Sequence, residues 1–154
     1  MSDAQALTGS IASSHVIKWL RAWYSEGMPD AIDLEIVRQM LPSTPYGAGV
    51  REIKPPVEII GDAFEGMLAR DPDDHAVWGI AYNGKARGER QRFTIAHELG
   101  HFILHRSQKQ SFNCDSQSVH TGIDGLRQIE READEFASNL LMPGDLLREW
   151  ISNQ

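Results

Sequence analysis

The sequence predicts an α+β domain, and three observations lead there. Helix-period apolar residues flank the chain's middle, short apolar runs broken by Pro, Gly and Asp fill residues 50 to 85, and no segment repeats. At 154 residues the chain has one-domain size, enough to bury about 68–70% of its unfolded surface. The expected organisation is a flexible, small and polar lead over residues 1–12, then one domain over 13–154.

In chain order, Val16, Ile17, Leu20 and Trp23 recur at helical spacing, predicting a helix from Ser13 to Tyr24 with Ser13 or Ser14 as cap. A short helix is expected from about Asp30 to Met40. The stretch LPSTPYGAG, residues 41–49, should then break regular structure as a loop. VEIIG, GMLAR and HAVWGIAYNG read as three short strands, with Asn83-Gly84 as a turn signal. A helix follows over about 91–105, then a long polar loop to residue 124. The last helix spans about 125–142, with Leu126, Ile129, Ala133, Phe136 and Leu140 in the 3-4 rhythm and Pro143 ending it.

Composition excludes several classes. The N-terminus lacks a basic segment followed by an apolar run, and no stretch approaches the roughly 20 apolar residues of a membrane span. No membrane association is expected. Cys114 is the sole cysteine, so no intramolecular disulfide forms, and a reducing, cytoplasmic setting is expected. The formal charge of -7 argues against direct nucleic-acid binding, which needs clustered Lys and Arg, and suits a basic protein partner.

Within RFTIAHELGHFILH, His97-Glu98-Leu99-Gly100-His101 is a His-Glu-x-x-His arrangement in a helix-period pattern. Residues four apart share a helix face, so both imidazoles reach one ion at about 2.0–2.1 Å. Glu98 follows His97 by about 100° round the helix, beside the ion rather than on it. It is then placed to take a proton from water activated at the metal and pass it to a leaving amine. By chance the pentapeptide arises in roughly one chain of this length in several hundred, which favours a metal site over coincidence.

A catalytic zinc needs a third protein ligand and an open fourth position. Candidates are His75, His105, His120 and the acidic residues of the last helix. His105 shares the face of His97 but sits about 12 Å along the axis, too far for one ion to take all three histidines. Glu130 lies on a half-buried flank with Asp134, Ala137 and Leu141, whereas Glu132 has the polar neighbours Gln128, Glu135 and Asn139 of a water-facing flank. Helical geometry favours Glu130. Asp134, one turn on, is suited to accept the remaining ring N–H of a ligand histidine.

RFTIAHELGHFILH followed by EREADEFASNLLMP resembles the ImmA/IrrE family of metallopeptidases, specifically over residues 91–105 and 130–143, about a third of the chain. The family's pattern is a His-Glu-x-x-His helix and a later Glu-x-x-x-Asn/Asp helix running into Leu-Leu-Met-Pro. Glu130 and Asp134 fall on those later positions. The resemblance implies His97, His101 and Glu130 as ligands of Zn2+, with Mn2+ an alternative, Glu98 as the catalytic base and Asp134 behind a ligand. It also implies a thermolysin-like core, a small mixed sheet with an edge strand over the active helix, that strand being WGIAYN, residues 78–83. Members of the family typically cleave a helix-turn-helix repressor in stress responses or mobile elements, and others pair with an antitoxin-like regulator.

Two other classes compete. A regulator keeping the zinc fold but binding its partner stoichiometrically would not need Glu98. A DNA-binding helix-turn-helix over residues 13–40 is disfavoured because Lys18, Arg21 and Arg38 face Glu26, Asp30, Asp33 and Glu35. Among smaller signals, Cys114 reads as inert, and Trp19, Trp23 and Trp78 as core or interface. Tyr82, His105 and His120 remain equal candidates to stabilise an oxyanion.

Overall fold

Thr8 starts the first helix: its hydroxyl accepts from the Ile11 amide at 3.1 Å, and α1 runs Gly9–Trp23. This corrects the expected helix start at Ser13. Ser13 is buried, with its hydroxyl on the Ser10 carbonyl, so it packs inside the helix instead of capping it. The computed structural model of the chain describes residues 6–24, 26–29, 31–61, 64–108, 110–115 and 124–142. Lead residues 1–5, the helix start at Asp30, His120, the side chains of Cys114 and Leu126, and Pro143 with the tail to residue 154 lie outside the described residues.

Asp33 caps α2, Leu34–Met40, by accepting from the Glu35 amide at 2.9 Å. Arg38 on this helix is buried, donating to the Ile53 carbonyl and to Glu35, and so ties α2 to the sheet. Residues 41–49 are more ordered than a loop reading suggests. Two 3-10 turns form at Leu41–Ser43 and Pro45–Gly47, Leu41 is fully buried, and Arg106 donates to the Tyr46 and Ala48 carbonyls at 2.9 Å.

Five strands make one mixed sheet: β1 Glu52–Ile53, β2 Val57–Ile59, β3 Phe64–Arg70, β4 Val77–Asn83 and β5 Ser111–Asp115. β2, β3 and β4 are the three strands legible in the sequence. β4 pairs in parallel with β1 and β2 on one side and antiparallel with β3 on the other, and β3 also pairs antiparallel with β5. The expected edge strand over 78–83 is therefore an interior strand. Its sequence explains why: Val77, Trp78, Ile80 and Ala81 are buried on both sides of the pleat, the continuous apolar run of a strand covered on both faces. Among the described residues β1 and β2 end the sheet on one side and β5 on the other, and β5 arises inside the stretch expected to be a polar loop, because SFNCD carries almost no apolar alternation.

Asn83 accepts from the Lys85 amide at 2.9 Å, forming the expected turn after β4. α3 then runs Gly88–His105, starting slightly before its apolar pattern, and α4 runs Asp124–Leu141. α3 packs on β3 and β4 and is covered on its other side by α4 and α1. Val16 and Leu20 of α1, Leu68 and Ile80 of the sheet, Leu99 and Phe102 of α3, and Phe136 and Leu140 of α4 form one core. A Cβ on Gly100 would stand 3.1 Å from Phe136 Cδ1 and 3.3 Å from Ala133 Cα. Two small residues thus let α3 and α4 approach closely enough for their side chains to share a centre. Among the described residues no helix is long and apolar enough to cross a membrane.

Candidate metal centre

The four-residue period of α3 puts His97 and His101 on one face, and their rings meet edge to face with centroids 4.6 Å apart. α4 brings Glu130 against both. Its Oε2 is 2.7 Å from His97 Nε2 and its Oε1 3.2 Å from His101 Nε2. Ligand atoms of His97, His101 and Glu130 all lie within 4.8 Å of one another, the one such group of three among the described residues. Tetrahedral ligands at about 2.0–2.1 Å from an ion stand roughly 3.3 Å apart, so this donor set fits a divalent cation with little movement. Two imidazoles and one carboxylate form a metal site of metallopeptidase composition.

Both rings are held from behind. Asp134 Oδ1 is 2.8 Å from His97 Nδ1, which leaves Nε2 to the centre. His101 Nδ1 is 2.9 Å from His105 Nδ1, and the His101 ring stacks on Phe112 of β5 at 4.9 Å and 12°. β5 thus reaches the histidine helix through the Phe112 ring.

Burial and partners set the charges. Burial works against a charged His97, yet hydrogen bonds to Asp134 and Glu130 outweigh it and raise its pKa to about 10. Glu130 is likewise penalised by burial, but its bonds to His101 and His97 hold it well below the ordinary carboxylate range. For His101 burial wins and lowers it to about 4, and burial also lowers His105.

Glu98 is fully buried on the side of α3 facing the sheet. An ideal Cβ on Gly66 would lie 2.8 Å from Glu98 Oε2 and 2.6 Å from Thr94 Cγ2. Gly66 of β3 is thus the gap into which this carboxylate fits, next to an irregularity in β3–β5 pairing between Phe64 and Gly66. The sequence reasoning passed over Gly66, although a lone glycine inside a strand pattern signals a close approach. One turn back along α3, Thr94 lines a cavity of about 360 Å³ with Phe64, Glu65, Asn83, Lys85, Arg87 and Arg90.

The other candidates separate cleanly. His75 is exposed in the turn between β3 and β4. His105 is buried, its ring nitrogens facing His101 Nδ1 at 2.9 Å and Glu132 Oε1 at 3.0 Å, and it stands outside the group formed by His97, His101 and Glu130. Glu132 corrects its expected water-facing placement: it leans on His105, and its side chain is only 32% exposed. Trp78 is in the core, edge-on to Phe102, Trp19 packs edge-on to Tyr46, and Trp23 is exposed.

Comparison with known proteins agrees with this geometry. Residues 57–154, well over half of the chain, match the model of the IrrE N-terminal-like domain, peptidase family M78. The radiation response metalloprotease IrrE of Deinococcus deserti is 36% identical over 85 residues, which cover 54% of this chain and 28% of that protein. Its counterpart in Deinococcus radiodurans is 35% identical over 86 residues, covering 54% and 24%. The chain thus spans about a quarter of the length of these relatives. With the histidine helix and the Glu130 helix both inside the matched span, the chain belongs to the family of IrrE N-terminal-like domains, the M78 metallopeptidases.

Proposed function

We propose that the chain is a zinc-dependent endopeptidase that cleaves one specific protein partner, with His97, His101 and Glu130 as ligands and Glu98 as the base. The observation that carries this reading is Glu98. It is a fully buried carboxylate adjoining a ligand histidine and fitted against Gly66, and holding a metal does not require it. Zinc is the default for this donor set, and manganese is also compatible.

A bound ion would supply a more acidic water and polarise the scissile carbonyl. Glu98 takes the proton from the attacking water and returns it to the departing amine, a general acid–base role contributing about 10²–10⁴-fold. Asp134 and His105 keep the two ligand rings oriented meanwhile. β5 serves as the edge along which an extended peptide lies, in a thermolysin-like arrangement, since β5 carries Phe112 over His101. The cavity around Thr94 accepts a neighbouring part of the substrate.

The partner best fitting the sequence is a helix-turn-helix repressor or antitoxin-like regulator in the cytoplasm. A DNA-binding protein presents a basic surface, and this chain carries a net charge of -7. The relatives named for a radiation response support a stress-linked setting. The test incubates the protein, with zinc or manganese, with the product of a neighbouring repressor gene. Native protein should yield discrete fragments, whereas Glu98→Gln should bind metal and partner without cutting. If Glu98→Gln derepressed the target gene as well as native protein does, the chain would be a stoichiometric regulator instead.

A further inference from the structure

His101 differs from His97 in what stands behind it. Behind His97 is Asp134, a carboxylate whose side chain is 53% exposed. His101 has instead a second histidine, fully enclosed, and the carboxylate comes one step later. The chain of contacts runs His101 Nδ1 to His105 Nδ1 at 2.9 Å, then His105 Nε2 to Glu132 Oε1 at 3.0 Å. His101 and His105 are 0% and 2% exposed, while the Glu132 side chain reaches solvent at 32%.

We propose that His105 and Glu132 are positioning residues that fix the ring orientation and tautomer of His101 through this two-step hydrogen-bonded chain. The inference rests on His101 being a metal ligand. A cation held at His101 Nε2 leaves Nδ1 as the protonated nitrogen, and Nδ1–H has His105 Nδ1 before it. His105 must then accept at Nδ1 and carry its own proton on Nε2, where Glu132 takes the hydrogen bond. Each nitrogen has one role, and the direction of the chain is determined. Reversed, it would put the proton on His101 Nε2, where no ligand bond can form. Glu132, whose Oε1 accepts from His105 Nε2, anchors the direction from the far end.

The arrangement suits a ligand too deep for a direct carboxylate. A charge placed beside His101 would have to be desolvated, whereas Glu132 stays partly in water and passes its preference through a neutral imidazole. Phe112 stacks on His101 at 4.9 Å and lies 6.2 Å from His105, so both rings share one wall and cannot swing apart without moving β5. Partners of this kind contribute about 10–100-fold in metal affinity or activity.

The test measures zinc affinity by competition with a chromophoric chelator, together with histidine tautomers by two-bond 15N NMR on the zinc-loaded native protein. His105→Leu should bind zinc about 10–100-fold more weakly. His105→Asn, whose carbonyl oxygen replaces the Nδ1 acceptor, should recover part of that loss, an effect mere filling of space would not produce. Glu132→Leu, at a partly exposed site, should weaken zinc less but in the same direction, which covers the case in which His105 variants do not fold. In native protein His101 should be protonated on Nδ1 and His105 on Nε2. The proposal is overturned if His105 carries its proton on Nδ1, or if Glu132→Leu and every folded His105 variant bind zinc as native does. Should His101→Ala keep full zinc, it is the ligand assignment that fails, a result distinct from either.

Discussion

Asp134 Oδ1 stands 2.8 Å from Nδ1 of His97 while Glu130 Oε2 stands 2.7 Å from Nε2 of the same ring, so two carboxylates one helical turn apart hold one imidazole at both nitrogens. Only Glu130 also reaches His101. The ring is therefore oriented by one partner and shares a metal with the other. Asp134→Asn keeps an acceptor but removes the charge, and should lower zinc affinity about 10–100-fold. Because Asp134 is one of the partners that hold His97 charged in the metal-free protein, the melting temperature of that form at neutral pH should fall as well. Unaltered affinity in a chelator competition would remove Asp134 from the site.

The ligand assignment makes a stronger demand. His97→Ala, His101→Ala and Glu130→Gln should each lose most of the bound metal, measured as equivalents per chain after dialysis. Glu132→Gln should keep it, since Glu132 lies behind His105 rather than at the centre. Glu132→Gln losing more metal than Glu130→Gln would show that the two flanks of α4 have been exchanged.

Most of the centre was legible because helical periodicity is local. His97, Glu98 and His101 follow from spacing on one helix, and the phase of α4 separated Glu130 from Glu132. What sequence spacing could not show was the relation between elements. Axial distance keeps one ion from taking His97, His101 and His105 together, but the contact of His105 with Glu132 depends on how α3 packs on α4, which Gly100 and Ala133 determine. Sheet order was harder still. β1 is two residues long and β5 is polar, so neither gave a periodic signal, and the edge that the resemblance implied was placed on β4. Gly66 matters only because Glu98 arrives opposite it, a fact of packing that its own neighbours in sequence do not encode.

Above pH 6.5 the charges at the centre make stability and metal uptake depend on pH in opposite ways. In the metal-free protein His97 is raised from 6.5 to about 10, so its contribution is complete below pH 6.5 and is lost as pH rises through about 10. His101 is lowered from 6.5 to about 4, so its contribution is present above pH 6.5 and is lost as pH falls toward 4. As far as these groups determine it, thermal stability of the metal-free protein should peak near pH 6.5. Zinc must displace the His97 proton, whereas Glu130, already ionised, has none to give. Calorimetry at pH 7.5 in buffers of different ionisation enthalpy should therefore find about one proton released per zinc bound. Release of no proton would mean that His97 is neutral before the metal arrives.

Gly66 offers the sharpest separation of catalysis from metal binding. In Gly66→Ala the new methyl would meet Thr94 Cγ2 at 2.6 Å and Glu98 Oε2 at 2.8 Å, with the Ala81 carbonyl at an ordinary 3.4 Å. The two close neighbours are side-chain ends, so they move and the strand stays. Overpacking of this kind destabilises by about 1–3 kcal/mol. Displacing Glu98 by about 1 Å should reduce kcat about 10²-fold. His97, His101 and Glu130 are untouched, so metal content should remain native. Adding Thr94→Ser removes the methyl that clashes at 2.6 Å but not the crowding of Glu98. The double variant should therefore recover melting temperature without recovering kcat. If both recovered together, the loss would come from the fold alone. If Gly66→Ala kept native kcat on the partner protein, Glu98 could not be the base held against β3.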